Sequence, residues 1–137
     1  MIAPQFQCVS DFKKLKVWRK AHALALNVHR VAIRIRGADH ASPRNQLIRA
    51  AGSIPTNLVE GTAQETGKQF ARFITISINS TSELEYHLMV GRDYGVIAAN
   101  DFESLSAQTI EVRKMLYGLR NRVLVLPRTP HKQVPAS

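Results

Sequence analysis

The chain has 137 residues, enough for one domain with a buried core and too few for several. Apolar residues at 45% and charged residues at 21% are an ordinary globular balance, but Lys and Arg exceed Asp and Glu to leave a net charge of +9. That excess favours polyanionic partners, nucleic acid foremost. The single cysteine, Cys8, excludes an internal disulfide framework and reads as an incidental thiol in an uncharged arm. No apolar run reaches the ~18 residues a membrane span needs, and the basic-then-apolar order of a signal peptide is missing from the N-terminus. These features predict a soluble cytoplasmic protein with no membrane partner.

Glycine and proline divide the chain into four stretches of helical periodicity, none with sustained strand-like alternation. The first spans about residues 12–36 and stops at Gly37. Val17, Ala21, Leu24, Val28, Val31 and Ile35 follow a four-three spacing and form one seam. The second opens at Ser42-Pro43, an N-cap residue before a proline at the first helical position. It runs through Leu47, Ile48, Ala51, Ile54 and Leu58 to about Gly61. The third begins at Thr66-Gly-Lys-Gln69, which fits a capping box, and reaches about Tyr94-Gly95. Its apolar face is Phe70, Phe73, Ile74, Leu84, Leu88 and Met89, thinned by Ser77, Ser80 and Thr81 where a neighbouring helix can come close. The fourth opens at Asn100-Asp-Phe-Glu103 and extends to about Leu126, with Leu105, Val112, Leu116, Leu119, Val123 and Leu126 in its seam and Thr109 filling one position.

Short connections between long helices favour antiparallel neighbours, so the pattern predicts an all-α, antiparallel up-down four-helix bundle. One domain covers residues 1–137, with its core at about 12–126. Residues 1–10 and 127–137 read as disordered, because they lack an apolar pattern and the second is proline-rich.

Residues 49–61, Arg-Ala-Ala-Gly-Ser-Ile-Pro-Thr-Asn-Leu-Val-Glu-Gly, are the most distinctive stretch. Pro55 removes a backbone donor and crowds the carbonyl one turn earlier, which predicts a bend in the second helix. Ser53, Thr56 and Asn57 are near enough to satisfy the freed carbonyls. Arg49, Ala50, Ala51, Ser53, Ile54, Pro55, Asn57, Glu60 and Gly61 match a pattern that resembles the bacterial four-helix bundle family of ribosomal-RNA intervening-sequence proteins. That family is in turn similar to accessory variability proteins of diversity-generating retroelements. Phe12, Leu15, Val17, Trp18 and Ala21 fit its first-helix pattern. Lys68, Phe70, Arg72, Phe73, Ser80, Glu83, Leu84 and Glu85 fit its third. Two positions depart: Gln64, where the family has a basic residue, and Asn79, where it has glycine. The resemblance implies a homo-oligomer, typically a pentamer, without enzymatic activity.

Between Asp11 and Arg36 there are eight basic residues and one acidic, so +7 of the +9 lies in the first helical segment. At about 100° per residue, Lys16, Arg19, Lys20, Arg30 and Arg34 share a sector away from the apolar seam. Three readings fit that stripe: contact with a phosphate backbone, RNA or DNA, a solvated face that aids solubility, and contact with an acidic protein partner. Beside it, Leu15, Leu26 and Ile33 form a second apolar stripe. One bundle buries one stripe per helix, so the second predicts an interface between subunits. In a ring, the basic stripes would repeat and reinforce weak phosphate contacts.

Catalysis finds little support. Arg49, Arg72, Glu60, Glu83 and Glu85 read as ion pairs that fix helix register, and Glu83 and Glu85 point about 200° apart. His22 and His29 lie two turns apart, too far for a helical metal pair. No metal, cofactor or catalytic residue is expected. Trp18 flanks the seam and reads as core or interface. Arg49, Ser53, Pro55, Asn57, Glu60 and Gly61 read as structural. The sequence thus predicts a non-enzymatic oligomeric nucleic-acid-binding or accessory protein. The alternative is an oligomeric scaffold that docks a protein partner such as a reverse transcriptase, without touching nucleic acid.

Overall fold

The computed structural model describes residues 12–125. Cys8, Leu126 and both predicted disordered ends lie outside the described residues. Four α-helices follow one another: α1 (Lys16–Ala32), α2 (Ala41–Thr62), α3 (Gly67–Asp93) and α4 (Ala99–Val125). A short 3-10 turn, Phe12–Lys14, precedes α1, and another, Ala38–His40, leads into α2. Each helix packs on its neighbours in sequence, and α1 also meets α4, closing an all-α four-helix bundle.

The core is built from the predicted seams. Val17, Ala21, Leu24, Val28 and Ile35 are buried from the first segment, with Val31 half-buried beside them. Leu47, Ala51, Ile54 and Leu58 are buried from α2, and Leu105, Val112, Leu116 and Leu119 from α4. Thr109 is buried in the α4 seam because its hydroxyl donates to the Leu105 carbonyl at 2.7 Å, which satisfies it without water. Met89 departs from expectation: it is exposed, while Ile78 and Leu84 take the inward positions of α3.

Three helix ends differ from the sequence reading. The α-helical part of the first segment stops at Ala32, four residues early. The chain then tightens, with the Arg34 N–H bonding to the Val31 carbonyl and the Ile35 N–H to the Ala32 carbonyl. The Arg44 guanidinium donates to the Ile35 carbonyl at 2.8 Å, and Gly37 turns the chain at φ +94°. α2 begins at Ala41 rather than Pro43, so the proline occupies the first turn, where its missing N–H has no intrahelical partner to lose. At α4 the Asn100 side chain accepts from the next residue, Asp101, while the Phe102 N–H bonds the Ala98 carbonyl, which makes Ala98 and not Asn100 the entry residue. The Thr66 cap is as predicted, its hydroxyl accepting from the Gln69 N–H at 3.0 Å. α3 ends in a Schellman arrangement: Gly95 at φ +77° donates to the Arg92 carbonyl and Val96 to the Gly91 carbonyl.

Candidate nucleic-acid interface

α1 and the turn that follows it present the five predicted phosphate contacts on two sides, not one. The core residues of α1 hold the inner face, so Lys20 and Arg34 fall on the flank toward α4 and Arg19 and Arg30 point outward. On the flank, Arg34 pairs with Asp101 of α4 at 2.9 Å and Lys20 with Glu111 at 3.5 Å. Between them the Asn27 amide donates to Gln108 at 2.9 Å. Asp101 and Glu111 are the partners the sequence reading missed. Their spacing suggests nothing alone, because the α1–α4 register must be known before they can be matched to Lys20 and Arg34.

The outward cations are held by neutral groups. Arg19 donates to the Lys13 carbonyl at 2.9 Å, and Arg30 reaches the Asn27 side-chain oxygen. Among the described residues, Arg19, Arg30 and Lys16 join no ion pair. Arg30, Arg34, Asn27 and Gln108 also line a shallow cleft of about 360 Å³ between α1 and α4, with Asp101 and Ser104 opposite. Lys16 and Arg122 edge a second hollow of about 240 Å³ floored by Leu15, Met115 and Leu119. The cationic surface thus extends from α1 onto the end of α4.

The predicted apolar stripe divides in the same way. Leu26 and Ile33 are 45% and 54% exposed, whereas Leu15 packs half-buried against this chain's own core. Trp18 is half-buried too: its ring stacks on His22 at 5.0 Å and meets Phe12 edge-on at 4.9 Å. Tyr86, Tyr94 and Tyr117 are exposed. No group of three metal-ligating side chains occurs among the described residues, and none of their helices is long and apolar enough to cross a membrane.

The residues around Pro55 form the seam between α2 and α3. α2 continues through Pro55 without a break, and the ring is buried. The Asn57 amide donates to the Ser53 carbonyl at 2.9 Å and to the Ser53 hydroxyl at 3.0 Å. Ser53 in turn shares a hydrogen bond with Ser80 of α3 at 2.8 Å, and the buried Ser77 hydroxyl donates to the Ile54 carbonyl at 2.9 Å. Partners for the carbonyls near the proline thus come from α3 as well as from α2. Thr56 faces solvent instead. Gly61 lies so close to α3 that a Cβ there would fall 2.7 Å from the Phe70 ring. Asn79 points to solvent, so its departure from glycine leaves this approach untouched.

The expected register pairs mostly do not form. Glu85 pairs with Arg113 of α4 at 2.8 Å. Arg49, Glu60, Arg72 and Glu83 are exposed and join no ion pair among the described residues, because α2 and α3 turn them outward, away from the helix contacts.

The family model of the 23S rRNA-intervening sequence proteins matches residues 13–118, which takes in the first three helices and most of α4. The chain belongs to this family. Among solved structures, an S23 ribosomal protein family member of unknown function from Bacteroides thetaiotaomicron is similar, with a TM-score of 0.71 and 20% identity. The similarity covers 76% of this chain and 97% of that one, and it concerns the fold. No curated protein matches the sequence. In this member of the intervening-sequence family, the signature of α2 is therefore a packing device along one edge and an exposed set of charges along the other.

Proposed function

We propose that this intervening-sequence family member is a non-enzymatic, homo-oligomeric nucleic-acid-binding or accessory protein of the cytoplasm. Arg19, Arg30 and Lys16 contact the phosphate backbone of RNA or DNA with little sequence selectivity. Lys20 and Arg34 contribute less, since each already faces a carboxylate on α4. The observation that carries this reading is the concentration of +7 of the net charge in residues 11–36, with Arg19, Arg30 and Lys16 in no ion pair among the described residues. Such a stripe is the electrostatic footprint of backbone binding, and repetition in an oligomer, a ring of five by the family resemblance, multiplies it.

Titration of labelled RNA and DNA at two salt concentrations tests the proposal. Binding should weaken steeply with salt and be lost in Arg19→Glu/Arg30→Glu protein. Undetectable binding at low salt would sink it. The exposed pair Leu26 and Ile33 supports a second reading, in which this face of α1 docks a subunit or another protein such as a polymerase. Under that reading Leu26→Asp/Ile33→Asp changes assembly or partner capture while nucleic acid remains unbound in every variant.

A further inference from the structure

We infer that a cleft between the start of α2 and the end of α3 binds an unpaired nucleobase by stacking. The inference rests on the nucleic-acid reading for the source of that base, and it adds a base contact separate from the α1 cations. The cleft measures about 340 Å³, within the range of ~300–1,000 Å³ usual for small-ligand sites. Ser42 and Gln46 of α2, with Asp39 from the turn before it, line one wall. Tyr86, Val90 and Tyr94 follow one another at four-residue intervals up the last turns of α3 and line the other.

The core does not use these rings. From α3 it takes Leu84, Leu88 and Gly91, while Tyr86 and Tyr94 are 59% and 62% exposed. Among the described large apolar side chains only Val125 is more exposed. Both rings are nevertheless held. Tyr86 meets the His87 ring edge-on at 5.4 Å, and Tyr94 meets the His40 ring at 6.3 Å. The Tyr94 backbone is fixed by its N–H bond to the Val90 carbonyl at 2.8 Å and by the turn at Gly95. Exposed aromatic faces already held in place suit stacking, because every base has a π-face and little ordering of the ring remains to oppose it.

Charge decides between base and backbone. No described lysine or arginine lines the cleft, and Asp39 would repel a phosphate placed in it. A base edge suits the same wall. Asp39 can accept from an amino or imino group, and the Gln46 amide nitrogen can donate to a ring nitrogen or carbonyl. The Gln46 side-chain oxygen is engaged already, accepting from Arg49 at 2.8 Å. That bond also sets an exposed cation, in no ion pair among the described residues, beside the cleft for a phosphate of the same nucleotide. In a duplex, pairing and stacking occupy the edges and faces of each base, so the cleft selects single strands.

Fluorescence of 2-aminopurine, which falls when that base stacks, tests the inference with the full chain. The probes are a short single strand carrying it, the matching duplex, and the free ribonucleotide. The wild type should quench the single strand and leave the duplex bright. Tyr86→Ala/Tyr94→Ala should abolish quenching and weaken single-strand binding at least about fivefold, and Tyr86→Phe/Tyr94→Phe should keep both. Because α3 does not touch α1, these variants leave Arg19 and Arg30 in place. No quenching of strand or nucleotide overturns the cleft; if the strand still binds, the backbone reading on α1 stands. Quenching of the free nucleotide by protein that binds no strand sinks that reading alone and keeps the cleft as a nucleotide site. Quenching that survives the alanine pair, or equal quenching of the duplex, overturns the inference. So does a changed mass of the alanine variant on a sizing column, which would assign the rings to a contact between subunits.

Discussion

The α2–α3 and α1–α4 seams close the same bundle by opposite means. Between α2 and α3 the polar groups are short and inside: Ser77 is fully buried and Ser80 is 4% exposed, both hydrogen-bonded within or across the seam. Between α1 and α4 they are long and at the rim, as Lys20–Glu111, Asn27–Gln108 and Arg34–Asp101. Short hydroxyls let backbones approach and make the seam specific to its register. Long polar side chains bridge at the partly exposed rim and contribute little energy in doing so. The contrast implies that mutations should be costly for stability on the first seam and should act mainly on surface charge on the second.

The largest expected effect is Ser77→Leu. It places three heavy atoms where the Ser77 hydroxyl lies against the Ile54 carbonyl, and it removes that hydrogen bond. Overpacking of a close-packed interior and a lost buried partner together cost about 3 kcal/mol. Urea denaturation would measure it as a lowered midpoint at unchanged slope. A cost below about 1 kcal/mol would mean that the seam has room, and the contrast between the two seams would fail.

Pro55→Ala comes next and sharpens the same point. In an ordinary helix interior, replacing proline by alanine stabilises by about 3 kcal/mol, because the missing bond is restored. Here the ring is itself buried, and the surrounding helix is bonded through Asn57 and Ser77. The substitution restores one backbone bond and leaves the space of two methylene groups, so the two terms oppose. Stability should change by less than about 1 kcal/mol. A gain near 3 kcal/mol would show that the seam does not accommodate the proline at all.

The same contrast explains what could be read from the sequence. Periodicity located all four helices and most of the core, since Val17, Leu24, Leu47, Ile54, Leu88, Val112 and Leu116 are apolar at the correct spacing and buried. Thr66 was legible as a cap because its partner lies three residues away. Chain-local signals stop there. Asn100 has cap chemistry too, but the entry of α4 is set by the preceding turn, in which Val96 and Ile97 fold back onto Gly91. Ser77 was visible as a small residue, whereas its bond to Ile54 depends on helix register. Charge was the least legible of all. The basic sector of α1 reads as one stripe on a wheel, yet α4 neutralises one edge of it, and a wheel contains no neighbour. Likewise, Arg49, Glu60, Arg72 and Glu83 look like register pairs until the seam turns all four outward.

Between the extremes lies Glu85→Gln, on the α3–α4 contact. Glu85 accepts from Arg113 at 2.8 Å, with both side chains partly shielded, at 37% and 22% exposure. The amide keeps the shape and an acceptor but loses the charge, so the expected loss is about 1 kcal/mol or less, reduced by solvent screening. A double-mutant cycle with Arg113→Gln isolates the coupling. Coupling much above 1 kcal/mol would place this pair with the buried α2–α3 bonds.

The smallest stability effect belongs to Asp101→Ala, and its sign on binding is the more telling measurement. Asp101 is bonded to Arg34 on an open rim, so its removal should change stability by no more than about 0.5 kcal/mol. It leaves Arg34 unopposed beside Arg30 in the α1–α4 cleft. If that cleft receives phosphate, affinity for RNA or DNA should rise. One added contact also steepens the log–log salt dependence by roughly 0.7–0.9. Arg34→Ala should lower wild-type affinity only slightly, because its charge is already engaged. A variant lacking Asp101 that binds no better than wild type would restrict the interface to the outward cations Arg19, Arg30 and Lys16, leaving the α1–α4 rim a structural closure alone.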